Sequence, residues 1–430
     1  MKKIEIYFRK KRLLAIIGLS TLLLCFKATH GQQVVTLQQI LDSIAVRNPG
    51  LQQFALKTEA SNALGEAAKA WDPPLAGAGL SEFPYPFSDN KMGGAGQLGA
   101  REMVMVRLQQ MFPNFSRQSK EDAYFHSFGP QNEDERATMQ NMLFAQAKMA
   151  YYDALVAEKK LTLIGEQERQ LQLLIEIAEG RLAFNKAVLP NIYKAKAKLS
   201  DLQSDSVKVS SMVDQAVSIL NSLSDRPVDA PLMIDTSNSF QQKQIDILQV
   251  NSAYVQTHRT DILHTTDEIH SIQLNQEASS SLAKPQFGLS WDNMRMSSGM
   301  YMYTVMAMVT IPIAPWSSKG YKSEVGSMNY QIQSMKKMQD SQVLQALGNI
   351  RKDWLNLQAA RKELQIFQDE VIPSYAKTYQ ANLNAFSENA GDIYETLMAW
   401  NDLTMKKMEY YDKLNDLLHI QVILETEMQQ

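Results

Sequence analysis

The two halves of this chain repeat one order of features at an offset of about 202 residues, so any fold must satisfy both halves at once. Tyr152, Leu155, Ala157 and Lys160 recur as Trp354, Leu357, Ala359 and Lys362, while Ile192-Tyr193 and Asp201-Leu202 recur as Ile393-Tyr394 and Asp402-Leu403. The strand ends running into Pro113 and Pro315 align as well. In each half a helix leads to a strand pair, then to a very long helix, a break, and a returning helix. The first repeat spans 32–225, with strands at about 74–83 and 101–112 and a helical hairpin at about 115–224. A linker over 226–257 joins it to a second repeat over 258–430, with strands at about 285–296 and 300–311 and a hairpin at about 318–426.

The long helix of the first half carries Leu143, Ala147, Ala150, Ala154, Ala157, Leu161, Ile164, Glu168, Leu171, Ile175, Ala178 and Leu182. This alternating spacing of four and three is a coiled-coil seam with one polar position. After a break around Asn185 to Pro190, the chain returns with Ile192, Ala195, Leu199, Leu202, Val209, Val213, Ala216, Leu220 and Leu223 on similar spacing. Val343, Leu347, Ile350, Trp354 and Leu357 repeat the pattern less cleanly, with a break near Glu388 to Asp392. A helix from about Phe115 to Asn185 is on the order of 100 Å long at 1.5 Å per residue, too long to serve a globular core. Gly129-Pro130 should kink it, because proline removes a helical hydrogen bond.

A coiled-coil rod explains the helices but not the strands. Pro285 to Met296 and Met300 to Ile311 read as a β-hairpin around Ser297-Ser298-Gly299. Tyr301, Tyr303, Val305, Ala307, Val309 and Ile311 share one face with Phe287, Leu289 and Trp291, as a lipid-facing surface with an interfacial aromatic girdle requires. Each strand has roughly the 9–11 residues needed to cross a bilayer when tilted. Four strands cannot close a membrane barrel, because an open edge in lipid leaves backbone groups unsatisfied at several kcal/mol each. The chain must therefore oligomerise.

Export is expected from the first 31 residues, where Lys2, Lys3, Arg9, Lys10, Lys11 and Arg12 precede the apolar run Leu13 to Phe26 and the small-residue stretch after it. Cys25, the only cysteine, lies in that run, so a cleaved leader removes it, and a lipidated Cys25 is the alternative. The 43 basic and 46 acidic residues give no basic stripe for nucleic acid. His126, His258, His264, His270 and His419 show no metal-ligand spacing, and no phosphate loop or nucleophile elbow is present, so the expectation is no enzyme and no cofactor.

The duplicated order of elements, with Arg259-Thr260-Asp261-Ile262 opening the second half, resembles the TolC-type outer-membrane efflux channels, in which that motif usually reads Arg-Pro-Asp-Leu/Ile. The resemblance implies a mainly α fold with a membrane β-barrel part, in which three chains form a twelve-strand barrel and an α-helical periplasmic tunnel. The 226–257 segment would then be the equatorial linker. It implies a homotrimer in the cell outer membrane that meets a periplasmic adaptor and an inner-membrane pump of the proton-driven resistance-nodulation-division class. The hairpin breaks would form the adaptor-docking tip, with Val188, Leu189, Gly391, Asp392, Ile393 and Tyr394. Family members narrow the pore past the tip with two carboxylates one turn apart. Glu395 stands at the first of these positions and Met398 at the second, which leaves a single acidic ring or a plain solvated helix residue.

Opposite the lipid face, Met294, Met296, Met300, Met302, Met306 and Met308 share the other side of the hairpin with Gln286, Ser290, Asp292, Thr304 and Thr310. Thioethers are soft ligands for Cu(I) or Ag(I), which points to metal export, and methionine is also an adaptable apolar filler. For Met103 and Met105 two arguments conflict. Alignment at the prolines puts them on the lipid side, and Arg107 puts them on the lumen side, so a one-residue bulge or slip is expected. A structural coiled-coil envelope protein and a passive porin remain as other classes. The rod should lack strand hairpins, and the porin should have many more strands per chain.

Overall fold

The structure is a computed structural model describing residues 34–81, 103–182, 188–235, 247, 249–296, 299–388 and 390–429. The expected leader with Cys25, residues 185–187 of the first hairpin break and Ser297-Ser298 of the strand turn lie outside the described residues. In chain order the elements are β1 (Val34–Val35), α1 (Leu37–Arg47), α2 (Pro49–Ala68), β2 (Leu75–Ser81), β3 (Met103–Met111), α3 (Phe115–His126), α4 (Phe128–Leu182) and α5 (Leu189–Leu223). There follow β4 (Met233–Ile234), α6 (Ser252–His258), α7 (Thr260–Ser280), β5 (Phe287–Met296), β6 (Tyr301–Val309), α8 (Pro315–Ile366), α9 (Ile372–Ser387) and α10 (Ile393–Met428). The sequence of α2, β2, β3, α3 with α4, then α5 is thus repeated by α7, β5, β6, α8 with α9, then α10. No helix among the described residues is long and apolar enough to cross a membrane.

Compact units do not coincide with these repeats, because each draws on both. The first unit takes Met1–Ile44, Gln146–Lys243 and Ala360–His419. Its core is the coiled-coil seam itself: Ala157, Ile164, Leu171, Ile175 and Ala178 of α4 pack with Ile192, Ala195, Leu202 and Val209 of α5. Phe386 of α9 and Ile393, Leu397 and Trp400 of α10 complete the same cluster. The polar position inside the seam is Gln167 rather than Glu168. Gln167 is buried and its Oε1 accepts a 2.8 Å bond from the Thr404 hydroxyl, whereas Glu168 is only half-buried. In this unit β1 and β4 also pair in parallel, Val34 with Met233 and Val35 with Ile234.

Two helix interruptions have distinct causes. The break between α3 and α4 falls at Ser127, three residues before Pro130. This places the proline in the first turn of α4, where its missing N–H costs nothing. The second interruption, absent from the sequence reading, is a π-helical turn at Phe367–Val371 leading into Ile372-Pro373. An inserted residue of this kind lets the chain pass an interior proline without ending the helix.

The second unit takes Ala45–Ala145, Gln244–Ala359 and Ile420–Gln430. It holds a four-stranded antiparallel sheet in the order β2-β3-β5-β6 and the helices that brace it. Caps fix where these helices begin. Asn48 accepts from Gly50 N at 2.9 Å ahead of Pro49 in α2, and Asn114 accepts from Arg117 N at 3.1 Å in α3. Asn114 Nδ2 also donates to Ser281 O at 2.7 Å, which ties the start of α3 to the turn that feeds β5.

Opening α7, the Arg259 guanidinium grips Asp261 at 2.8 Å and Glu427 at 2.7 Å. Thr260 takes the place where the resembled family carries proline, and it uses what proline lacks. Its N–H donates to Gln429 Oε1 at 3.0 Å, and its hydroxyl accepts from Gln429 Nε2 at 3.0 Å.

Candidate functional site

Strand registry gives the sheet two faces of different chemistry. Phe287, Leu289 and Trp291 of β5 lie opposite Val309, Ala307 and Val305 of β6, and Trp291 lies opposite Leu108 of β3. Leu108, Val106 and Val104 in turn face Ala76, Ala78 and Leu80 of β2, so one side is mainly apolar and exposed in the protomer, with Gln110, Asn293 and Arg295 as its polar members. Its one charged residue, Arg295, sits at the hairpin end with its guanidinium 5.5 Å from the centre of the Tyr301 ring. Tyr301 and Tyr303 border the band at that end. At the other end Trp71 meets Phe112 and Phe115 edge-on, and Trp316 is 85% exposed. Aromatic rings at both margins of an apolar band are the signature of a bilayer-spanning sheet.

The opposite face is read in rows across the strands. Met105, Met294 and Met302 form one row, since Met105 pairs with Met294 and Met294 with Met302. Next to it Met103 pairs with Met296, whose N–H donates to Met300 O at 2.9 Å. On the other side lie Arg107, Asp292 and Thr304, then Gln109, Ser290 and Met306, then Met111, Gly288 and Met308. The six methionines read from sequence are therefore brought to one face, and Met103, Met105 and Met111 join them. Every methionine of β3, β5 and β6 lies there.

Of the expected bulge or slip, the register shows the slip and no bulge. Pairing is continuous from Met103 to Met111, and the Arg107 side chain decides the face by meeting Asp292 at 2.7 and 2.9 Å in a two-pronged bond. The offset of 202 set by the prolines matches Met105 to Ala307, whereas Met105 shares its face with Met302, Met306 and Met308, so the repeats are out of step by one residue here. Gly288 is where the face admits a neighbour, since a Cβ there would overlap Met111 Sδ and lie 3.1 Å from Gln110 O.

The hairpin breaks belong to the first unit and form a second site. Arg181, near the end of α4, donates to the carbonyls of Phe386 and Ser387, the latter at 3.1 Å, and stacks 4.1 Å from the Phe386 ring. A cation here neutralises the free carbonyls at the end of α9. Lys194 of α5 stands 4.4 Å over the Tyr394 ring. Gly391 permits the tight return, for its N–H bonds Ala385 O at 3.0 Å and a Cβ would press on Ala385 and Phe386. Val188, Leu189, Asp392 and Tyr394 are exposed, and Gly391 is half-buried. Ile393 is a correction to the tip residues expected from sequence: it is 2% exposed and packed in the hairpin core, so it offers no surface. Glu395 is exposed in the first turn of α10, and Met398 is exposed beside it one turn on.

Sequence reasoning did not find the Arg107–Asp292 pair, the Arg181 clamp, or the polar contact of Asp153 with His419 at 2.9 Å and Asn415 at 2.7 Å. Only the first had a signal, opposite charges at opposing strand positions. Among the described residues no group of three or more His, Cys, Asp or Glu is placed to hold a metal ion.

No protein-family model and no curated protein matches the sequence. Among solved structures, CusC matches with a TM-score of 0.72 and 15% identity over 91% of this chain and 91% of that one. The open state of the Neisseria gonorrhoeae MtrE outer membrane channel matches with 0.69 and 15% over 91% and 88%. The Vibrio cholerae outer membrane protein VceC matches with 0.67 and 13% over 91% and 95%. At these identities the likeness is one of fold.

Proposed function

We propose that this chain is the outer-membrane channel subunit of a tripartite efflux system, carrying small molecules or ions from the periplasm or an inner-membrane pump to the exterior. The observation that carries this reading is the sheet with its apolar band, its aromatic margins and two strands, β2 and β6, at its edges. In lipid both edges need partners, and three copies supply a twelve-strand ring. Purified from membranes in mild detergent, the chain should run near three times its 48.6 kDa less the leader, and open ion-conducting pores in a planar bilayer. A monodisperse monomer that keeps its strand content overturns the reading.

Finer assignments follow from the same reading. Exposed Val188, Leu189, Asp392 and Tyr394 at the hairpin breaks are the surface for a periplasmic adaptor, which links the channel to a proton-driven pump of the resistance-nodulation-division class. Glu395, exposed on α10, forms an anionic ring in the trimer. Glu395→Ala should raise single-pore conductance and weaken cation preference with the trimer intact. Unchanged conductance and selectivity return Glu395 to the ordinary solvated residues.

A further inference from the structure

We infer that the methionine face of the sheet binds soft monovalent metal ions, Cu(I) or Ag(I), through two adjacent rows of three thioethers. One row is Met105, Met294 and Met302, and the other is Met103, Met296 and Met300. Directly opposed residues on neighbouring strands have Cβ atoms about 4.5–5.5 Å apart. A methionine side chain has three rotatable bonds, so three sulfurs in a row can converge on one ion. Thioether sulfur is a ligand that selects Cu(I) over harder cations.

Gap-filling does not account for this pattern. A filler residue goes wherever packing leaves space, yet the strands place methionine on one face only and build the other from Val, Leu, Ala and aromatic residues with Gln110, Asn293 and Arg295 among them. Met300 and Met302 are exposed in the protomer, 61% and 43%, so these two plug no core, whereas Met103 at the β3 end of the rows is buried. The one cation of the rows, Arg107, is already neutralised by Asp292, so a metal ion approaching the sulfurs meets no uncompensated positive charge. Opposite Arg107 and Met105, β2 contributes Gly77 and Gly79 to this face, which leaves room above the row.

Binding follows from the rows alone. Export of the bound ion rests on the channel reading proposed above, and it names soft metal as the cargo class. The test uses the full chain purified in detergent and titrated calorimetrically with silver nitrate in chloride-free buffer, with Cu(I) added against a chromophoric Cu(I) chelator as a second probe. Saturable binding is expected for the unaltered chain. The triple variant Met105→Leu, Met294→Leu, Met302→Leu, nearly volume-conserving and so tolerated by the sheet, should bind at least tenfold more weakly or lose one site per chain. Met142→Leu, an exposed helical methionine, is the control and should bind like the parent. No saturable binding by the parent, or equal binding by the triple variant with unchanged circular dichroism, overturns the inference. Oligomer mass and conductance are read on the same samples, so a chain that binds silver but forms no pore refutes the channel and leaves the site standing.

Discussion

Ile393 and Tyr394 are neighbours at the second hairpin break, and the structure assigns them opposite energetic roles. Ile393→Ala removes three carbons from a side chain that is 2% exposed and packed with the α4, α5 and α9 residues of the hairpin core. At about 0.8 kcal/mol per buried carbon this is about 2.4 kcal/mol of transfer free energy. The cavity left behind brings the total to roughly 3 kcal/mol, within the range measured for such truncations. Tyr394→Ala removes a 39% exposed ring and its contact with Lys194, worth roughly 0.5–1 kcal/mol at an exposed site. Because 1.4 kcal/mol is about tenfold, local opening at the start of α10 should rise by about two decades in the first variant and by less than about one in the second. Hydrogen exchange of the Leu397 to Trp400 amides in the detergent-solubilised chain reads this directly. Equal protection loss in the two variants refutes the assignment of Ile393 to the core. The difference also decides how the tip is tested for docking: Tyr394→Asp alone probes a surface, whereas any charge at Ile393 probes folding.

Three further outcomes are expected. Asp134 is held neutral up to about 6 by burial and by the neighbouring charge of Asp267, against a smaller opposing effect of His264. Stability is therefore lost as pH rises from the ordinary carboxylate range to about 6, and Asp134→Asn should raise the thermal midpoint at pH 7.5 more than at pH 5, checked by circular dichroism melts at both. Gly288→Ala drives a methyl group against Met111 Sδ and Gln110 O and should lower the temperature at which the detergent-resistant oligomer dissociates, read on semi-native gels. Arg107→Gln, which strands the more buried Asp292, should lower that temperature further than Asp292→Asn, and the double variant should recover part of the loss.

The seams of the hairpins were legible because a helix buried along one stripe prints its period in the sequence. What the stripe missed is the rest of α4, where Tyr151, Leu155, Leu163 and Leu174 are buried as well. A helix with several partners in one unit buries more than one face, and a single 3.5-residue template reads only one of them. That is also why the polar position was placed at Glu168 instead of its neighbour Gln167. The sheet faces of β5 and β6 followed from alternation alone, since both strands sit in one hairpin and share one register.

For β3 the partner strand is far away in sequence, and counting back from the prolines carried an error of one residue, which exchanges every side chain between faces. Arg107 was the better guide, because a charge facing lipid costs several kcal/mol whereas a proline beyond the strand end does not fix its register. Contacts such as Arg181 with Phe386 were not legible at all, for they depend on how two hairpins 205 residues apart in sequence meet. Thr260 shows the limit from the other side. A proline at the first position of α7 would suit the helix and would satisfy the pattern of the resembled channels, but here Gln429 returns to that position with both an acceptor and a donor. A residue with an N–H and a side-chain acceptor answers both, so the departure from the family pattern is an exchange of backbone rigidity for two hydrogen bonds that hold Gln429 to the start of the second repeat.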